Sequence, residues 1–307
     1  MKTNAIIRIV CFSLGILILL AIMGSVLMAQ RFFFDIKESG LLTVVDQILM
    51  VDESDDNRID GTGSSVDFDA NQIRDINIEW VSGAIIIQPG DTQTIHIEES
   101  AVADSDYQMV AKCIGDELTL NFCRENNANW GIGVNINTNI SKDLMITVPR
   151  DWICDTLEID TASARVEISD LRFNEVDFNG ASGKFLLKNC NIMDLDIDTA
   201  SGDVEFSGIL KDLDFDAASA KFDGEFYNVP NHLKLDTMSS DTKITLPEGS
   251  GFVVAHDSMS GSFQSDFQFT SSGNHYKCGN GSCQIDINSM SGDVHILKGT
   301  PAENCDH

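Results

Sequence analysis

Positive charge is what this chain has least of. Its 307 residues carry 20 lysines and arginines against 48 aspartates and glutamates, a formal net charge of −28. A field of that sign excludes nucleic acid as a partner and opposes adhesion to anionic lipid, leaving cations and basic surfaces as what it attracts. The spacings that site chemistry needs are missing too. There is no C-x-x-C, no H-E-x-x-H and no G-x-S-x-G, so a zinc or dithiol site, a zinc peptidase and a serine hydrolase lose their usual grounds. Gly131-Ile132-Gly133 lacks the third glycine of a dinucleotide loop and has no βαβ unit around it. The 8 cysteines are too scattered for a disulfide framework. One pair stands out: Cys278 and Cys283 flank Gly-Asn-Gly-Ser in KCGNGSC and are expected to face each other across a hairpin as a disulfide, with two free thiols as the alternative.

Residues 9–29 run without a charge, long enough to cross a hydrocarbon core as a helix. Leu27 is large for the position three before a signal cleavage site, and the run exceeds an ordinary signal core, so the expectation is an uncleaved anchor. The basic tail 1–8 then stays cytoplasmic and the acidic remainder lies outside the cytoplasm. Residues 30–72 read as a juxtamembrane segment and an acidic linker. They hold no EF-hand, because a frame starting at Asp52 puts Asn57 at the glycine position. Residues 300–307 read as a tail.

Between them, from 73 to 299, a short phrase recurs: LEIDTASARVEI, LDIDTASGDVEF, LDFDAASAKFDG, LKLDTMSSDTKI, IDINSMSGDVHI. The turn serines Ser163, Ser182, Ser201, Ser219, Ser239 and Ser260 follow one another at 19, 19, 18, 20 and 21 residues. Six and four residues before each serine, and three after it, the positions are apolar almost throughout. Polar residues stand between them. Alternation on both sides of the turn means two half-buried strands per repeat. A repeat of about 19 residues cannot bury its apolar face alone and must stack on its neighbours. The fold expected is all-β, a single-stranded β-helix or β-solenoid, and ordinary antiparallel sheets are the alternative.

The residue before each serine is Ala162, Ala181, Ala200 and Ala218, then Met238, Met259 and Met290. This column is expected to face inward at a narrow corner, whereas Asp203, two past its serine, reads as a surface residue. Residues 268–282 read as a hairpin inserted between the last repeats, and TIHIEE, YQMVAKCIGDELTLNFC and DLMITVP as less regular strands that cap the stack. His256 stands in a buried column and reads as a satisfied interior histidine.

INIEWVSGAIIIQPGD, SKDLMITVPRDW, LEIDTASARVEI and GNGSCQIDINSMSGDVHIL, behind an anchor, resemble the bacterial putative-adhesin domain of unknown function. That domain is similar to the toast-rack β-strand repeats found beside cell-envelope stress genes. The resemblance implies a β-helix-like domain tethered to the membrane and brings no catalytic residues. The expected role is non-catalytic: binding, adhesion or envelope-stress sensing, with a cell-envelope component or membrane protein as partner. A scaffold assembling end to end is the second reading. A polysaccharide enzyme is the third, and it lacks bases, since Arg165 and Arg172 are the only arginines of the regular repeats. The outward carboxylates three before the serine, Asp198, Asp216 and Asp236, are the candidate metal site, for calcium. No other cofactor is expected.

Overall fold

The computed structural model describes residues 59–62, 65–100, 108–123 and 141–299. Segments 1–8, 9–29 and 300–307, most of 30–72, and Gly131-Ile132-Gly133 lie outside the described residues. No helix among the described residues is long and apolar enough to cross a membrane.

The described chain is all-β. It opens with β1 (Ile59–Thr62), β2 (Ser65–Asp69), β3 (Asp75–Gly90), β4 (Thr94–Glu99), β5 (Val110–Ile114), β6 (Glu117–Asn121) and β7 (Leu144–Pro149). The expected linker therefore ends earlier than residue 72, because β1 and β2 already pair within the sheet. The regular repeats form β8 (Ile153–Ser169), β9 (Arg172–Ser219), β10 (Phe222–Phe226), β11 (His232–Ser239) and β12 (Thr242–Leu246). β13 (Phe252–Ser260), β14 (Phe263–Ser265), β15 (Thr270–Ser272), β16 (His275–Cys278), β17 (Cys283–Ser291) and β18 (Val294–Lys298) complete the chain.

The repeats stack in register. Leu157 pairs with Val176 and Val166 with Phe185, Val204 with Phe222, and Leu213 with Leu233, all in parallel. Each rung is two strands hinged at its serine, and each backbone is bonded to the rungs on both sides. The columns six and four before the serine are buried throughout, from Leu157 and Ile159 to Ile285 and Ile287. Burying such stripes at roughly 25 cal/mol per Å² is what holds rungs that have no core of their own.

At the corner the alternation changes phase. Thr161, Thr199 and Ala217, two before the serine, are buried, and so are Ala164, Gly202 and Ala220, one after it. The two residues between them point out together. Ala181, Ala200 and Ala218 are exposed, and Met238, Met259 and Met290 are 58%, 50% and 45% exposed. The column before the serine is therefore outward, opposite to the expectation.

The S-G-D-V phrase now has a physical reading. At Gly183 (φ +148°), which holds the glycine place in S-G-K-F, an added Cβ would sit 2.3 Å from the Ala164 carbonyl oxygen of the preceding rung. The backbone contact there calls for glycine, whereas Ala164 and Ala220 keep a buried Cβ at the same place on other rungs. The aspartate ties rungs together. The Lys221 amide donates to Asp203 Oδ1 at 3.0 Å, and the Asp293 amide to Asp241 Oδ1 at 3.1 Å. Asp203 is thus an inter-rung cap as well as a surface residue.

Chain order and stacking order part at the far end. β17 lies between β11 and β13: Ile285 pairs with Leu233 on one edge and with Val254 on the other. β18 likewise separates β12 from β14. The regular step from Ser239 to Ser260 is therefore not a contact between neighbours. The expected inserted hairpin is β15–β16, and β16 pairs antiparallel along the outer edge of β13. Phe263 of the terminal rung stacks on Tyr276 with ring centroids 4.0 Å apart. At the near end β3 pairs with β8 on one edge and with β6 and β7 on the other. The antiparallel strands β4, β2, β5 and β1 follow as covers.

The disulfide expectation is corrected. Cys278 and Cys283 are free, buried thiols, and both register with Phe252, one on each edge of β13. A whole strand stands between them, placing them two inter-strand spacings apart, roughly 9–10 Å. A disulfide needs Cα atoms within about 7 Å.

A further turn serine escaped the sequence reading. Leu144 registers with Ile85, three past Ser82, so Ser141-Lys142-Asp143-Leu144 is one more S-x-D-apolar corner with lysine in the glycine place. Lys142 is buried. Its Nζ bonds Glu99 and the Phe122 carbonyl and lies 4.7 Å from the Trp80 ring centre. Glu99 in turn accepts the Met109 amide at 2.9 Å. Burial lowers the Lys142 pKa, and Glu99 pulls the other way.

Candidate binding face

The outward columns of the first strand in each rung build a face of one sign. In stacking order it presents Glu158 and Asp160, Asp177 and Asn179, Asp196 and Asp198, Asp214 and Asp216, then Lys234 and Asp236. Strand geometry dictates this, since alternate residues share a face and parallel register repeats them every rung. The outward side of the second strand differs. There bases and acids pair: Arg165 with Glu167, Lys184 with Glu205 at 2.6 Å, and Lys243 with Asp223 at 3.0 Å. Three of the few bases of the repeats are paired on that side.

The acidic face is tied at its two ends and open in its middle. Asn77 Nδ2 donates to Glu158 at 2.9 Å. At the other end Lys234 Nζ donates to both oxygens of Asp214 at 2.7 and 2.9 Å, and Asn288 Nδ2 to Asp236 Oδ1 at 2.7 Å. Between them a groove of about 260 Å³ is lined by Glu175, Asp177, Asp194, Asp196, Asp212 and Asp214, with His232 at one end. His232 Nε2 lies 3.0 Å from Asp286 Oδ2.

The cost of this arrangement shows in the carboxyl pKa values. Partial burial pushes Asp177 up. Asp196 is raised by burial first and then by Asp198, Asp214, Asp177 and Asp216. Asp216 is raised by burial and by its acidic neighbours, with Lys234 opposing. Lys234 is shifted upward, chiefly by its hydrogen bond with Asp214. It holds its proton and cannot serve as a base near neutral pH.

Asp198, Asp216 and Asp236 do stand in one column, where Asp216 registers with Asp236. They do not form the ligand set expected for calcium. Among the described residues no group of three or more Asp, Glu, His or Cys could hold a metal ion. Asp236 is moreover already bonded by Asn288. His256 is buried as expected, but its Nε2 has no hydrogen-bond partner, and burial lowers its pKa. The expected satisfied histidine is an unsatisfied one.

Residues 73–297 match the family model Toastrack DUF4097. The chain belongs to the Toastrack family. The family suggests a β-solenoid, which agrees with the parallel stacking above. No curated protein matches the chain. Among solved structures, a putative cell adhesion protein from Clostridium sporogenes is 13% identical with a TM-score of 0.37, covering 79% of this chain and 100% of its own. A putative adhesin from Bacteroides fragilis is 13% identical with a TM-score of 0.44, covering 80% of this chain and 98% of its own. A putative lipid binding protein from Parabacteroides distasonis is likewise 13% identical with a TM-score of 0.36, covering 80% and 98%.

Proposed function

We propose that this Toastrack chain is a non-catalytic binding module, serving adhesion or envelope-stress sensing, whose β-solenoid holds a cationic partner on its acidic face. The anchor at 9–29 would fix it in the membrane with the repeats outside the cytoplasm. The observation that carries the reading is the open middle of the face. Asp177, Asp196 and Asp198 have no hydrogen-bond or ion-pair partner among the described residues, while the ends of the same columns are hydrogen-bonded by Asn77 and Asn288 and paired with Lys234. Like charges on neighbouring rungs, roughly 4.8 Å apart, repel by about 1 kcal/mol per pair even in water. A basic protein segment laid across the groove would relieve several such pairs at once. Against catalysis stand the locked proton of Lys234 and the position of Arg165, which is paired to Glu167 on the other strand of its rung.

The test is the binding of a short oligolysine peptide to the full chain in mild detergent. Binding should weaken with salt and fall by about tenfold, some 1.4 kcal/mol, when Asp177, Asp196 and Asp198 are all changed to Asn. Equal binding by parent and triple variant would remove the face from the proposal.

A further inference from the structure

The column before the turn serine changes character along the stack. It reads Ala162, Ala181, Ala200, Ala218, and then three methionines. In chain order these are Met238, Met259 and Met290, but the rung exchange rearranges them. Thr237 registers with Ser289, and Ser239 with Ser291. Ser258 also registers with Ser289, and Ser260 with Ser291. Met290 therefore sits between Met238 and Met259 on three consecutive rungs, and all three side chains are about half exposed. The backbone beneath them is held by hydroxyl contacts on both sides of the column, Ser289 to Ser258 at 3.2 Å and Ser291 to Ser239 at 3.3 Å.

Burial explains none of this, since the position faces solvent and alanine serves on the other rungs. What the three residues share beyond apolar bulk is a thioether sulfur on a chain with three rotatable bonds. Parallel neighbours stand roughly 4.8 Å apart. Three sulfurs around one ion, at metal–sulfur bonds of roughly 2.3 Å, need to come about 4 Å from one another. The outer strands stand roughly 9–10 Å apart, so the site needs both outer side chains to lean over Met290, a reach that an unbranched side chain with three rotatable bonds has. Neutral thioethers favour soft monovalent ions over calcium, magnesium or zinc. Asp236 and Asp257, two residues upstream on the outer rungs, add the negative field that draws a cation to the corner.

We propose that Met238, Met290 and Met259 form a three-sulfur site for Cu(I), separate from the acidic groove and independent of what that groove binds. Binding is ligand exchange alone, in which the three sulfurs displace the ion's previous ligands and no electron moves.

The experiment offers anaerobic Cu(I), as its labile tetrakis(acetonitrile) complex, to the full chain in mild detergent with its methionines labelled at the ε-methyl carbon. Expected are transfer of one equivalent and a joint shift of the Met238, Met259 and Met290 methyl signals, with Met145 unmoved. Met290→Leu should weaken uptake at least about tenfold, and the triple leucine variant should lose it. These exposed, volume-conserving changes should leave the melt unaltered, and the methyl shifts in the parent decide the matter without any variant. Three results would each overturn the proposal. These are no transfer, transfer without movement of those three methyls, or uptake retained in the triple variant, which would assign the ion to the thiols.

Discussion

His256 shows how much one ring can cost a rung. Its column is otherwise hydrocarbon, Leu235 and Ile287 standing in the same place on other rungs, and its Nε2 is buried without a partner. Replacing it by leucine should stabilise the domain by about 1 kcal/mol, the usual penalty of an unsatisfied buried polar atom. The pH dependence carries a definite sign. The folded pKa is lowered, so below the ordinary value of 6.5 the unfolded chain takes up the proton first, and stability drains away as pH falls from there. Thermal melts of parent and His256→Leu should diverge progressively from about pH 7 down to about pH 5. Curves that stay parallel would mean that the ring finds a bond in solution. The burial of this residue was legible in the sequence; its missing partner was not, because that depends on how β16 and Phe263 close over it. Lys142 was illegible for the opposite reason. A lysine in the glycine place hid a turn that Ser141, Asp143 and Leu144 otherwise spell out.

For the strands, the apolar columns were readable because period two leaves no other face for Leu195, Ile197 and Val204. The corner was not readable, since alternation says nothing about a turn at which two adjacent residues both face out. The correction is testable by paired substitutions. Ala200→Leu should change stability by under about 0.5 kcal/mol, as a surface change. Gly183→Ala should cost about 2–3 kcal/mol, because its Cβ meets backbone where φ is positive. A reversed order in urea melts would restore the inward alanines. The acidic face makes a second statement at this scale. Asp177, Asp196 and Asp216 have raised folded pKa values, so the folded state binds protons that the unfolded state has already lost. These groups weaken the fold at neutral pH and are relieved as pH falls toward the ordinary 3.8. Changing Asp177 and Asp196 to Asn should therefore raise the melting temperature at about pH 7 and do so less at about pH 4.5. Added salt should shrink the gain by screening. A gain independent of pH would show the repulsion to be unimportant.

At the scale of the whole molecule, membership of a repeat family and an all-β stack followed from the sequence, as did the hairpin at one end and the irregular strands at the other. The stacking order did not follow, because equal spacing in a sequence cannot tell which rung sits next to which. Val254 and Leu233 look like neighbours on paper, yet Ile285 parts them. A chain ending before Cys283 is accordingly expected to lose far more than two strands, since β13 would be left beside nothing but β16. Its urea transition should broaden and shift to lower denaturant, while a chain ending after Lys298 should melt like the parent. A sharp, parent-like transition in the shorter chain would mean that β13 can dock directly on β11.

That displaced rung also sets a timetable. A stack laid down in chain order can be completed while its later part is still being synthesised, each new coil settling on the last. Here the coil that contains β13 and β14 emerges before the one it must rest on, and it has to wait as an unmatched ledge until the final segment arrives. Folding is then a closing step as much as a growing one, and the last strands made act as a keystone.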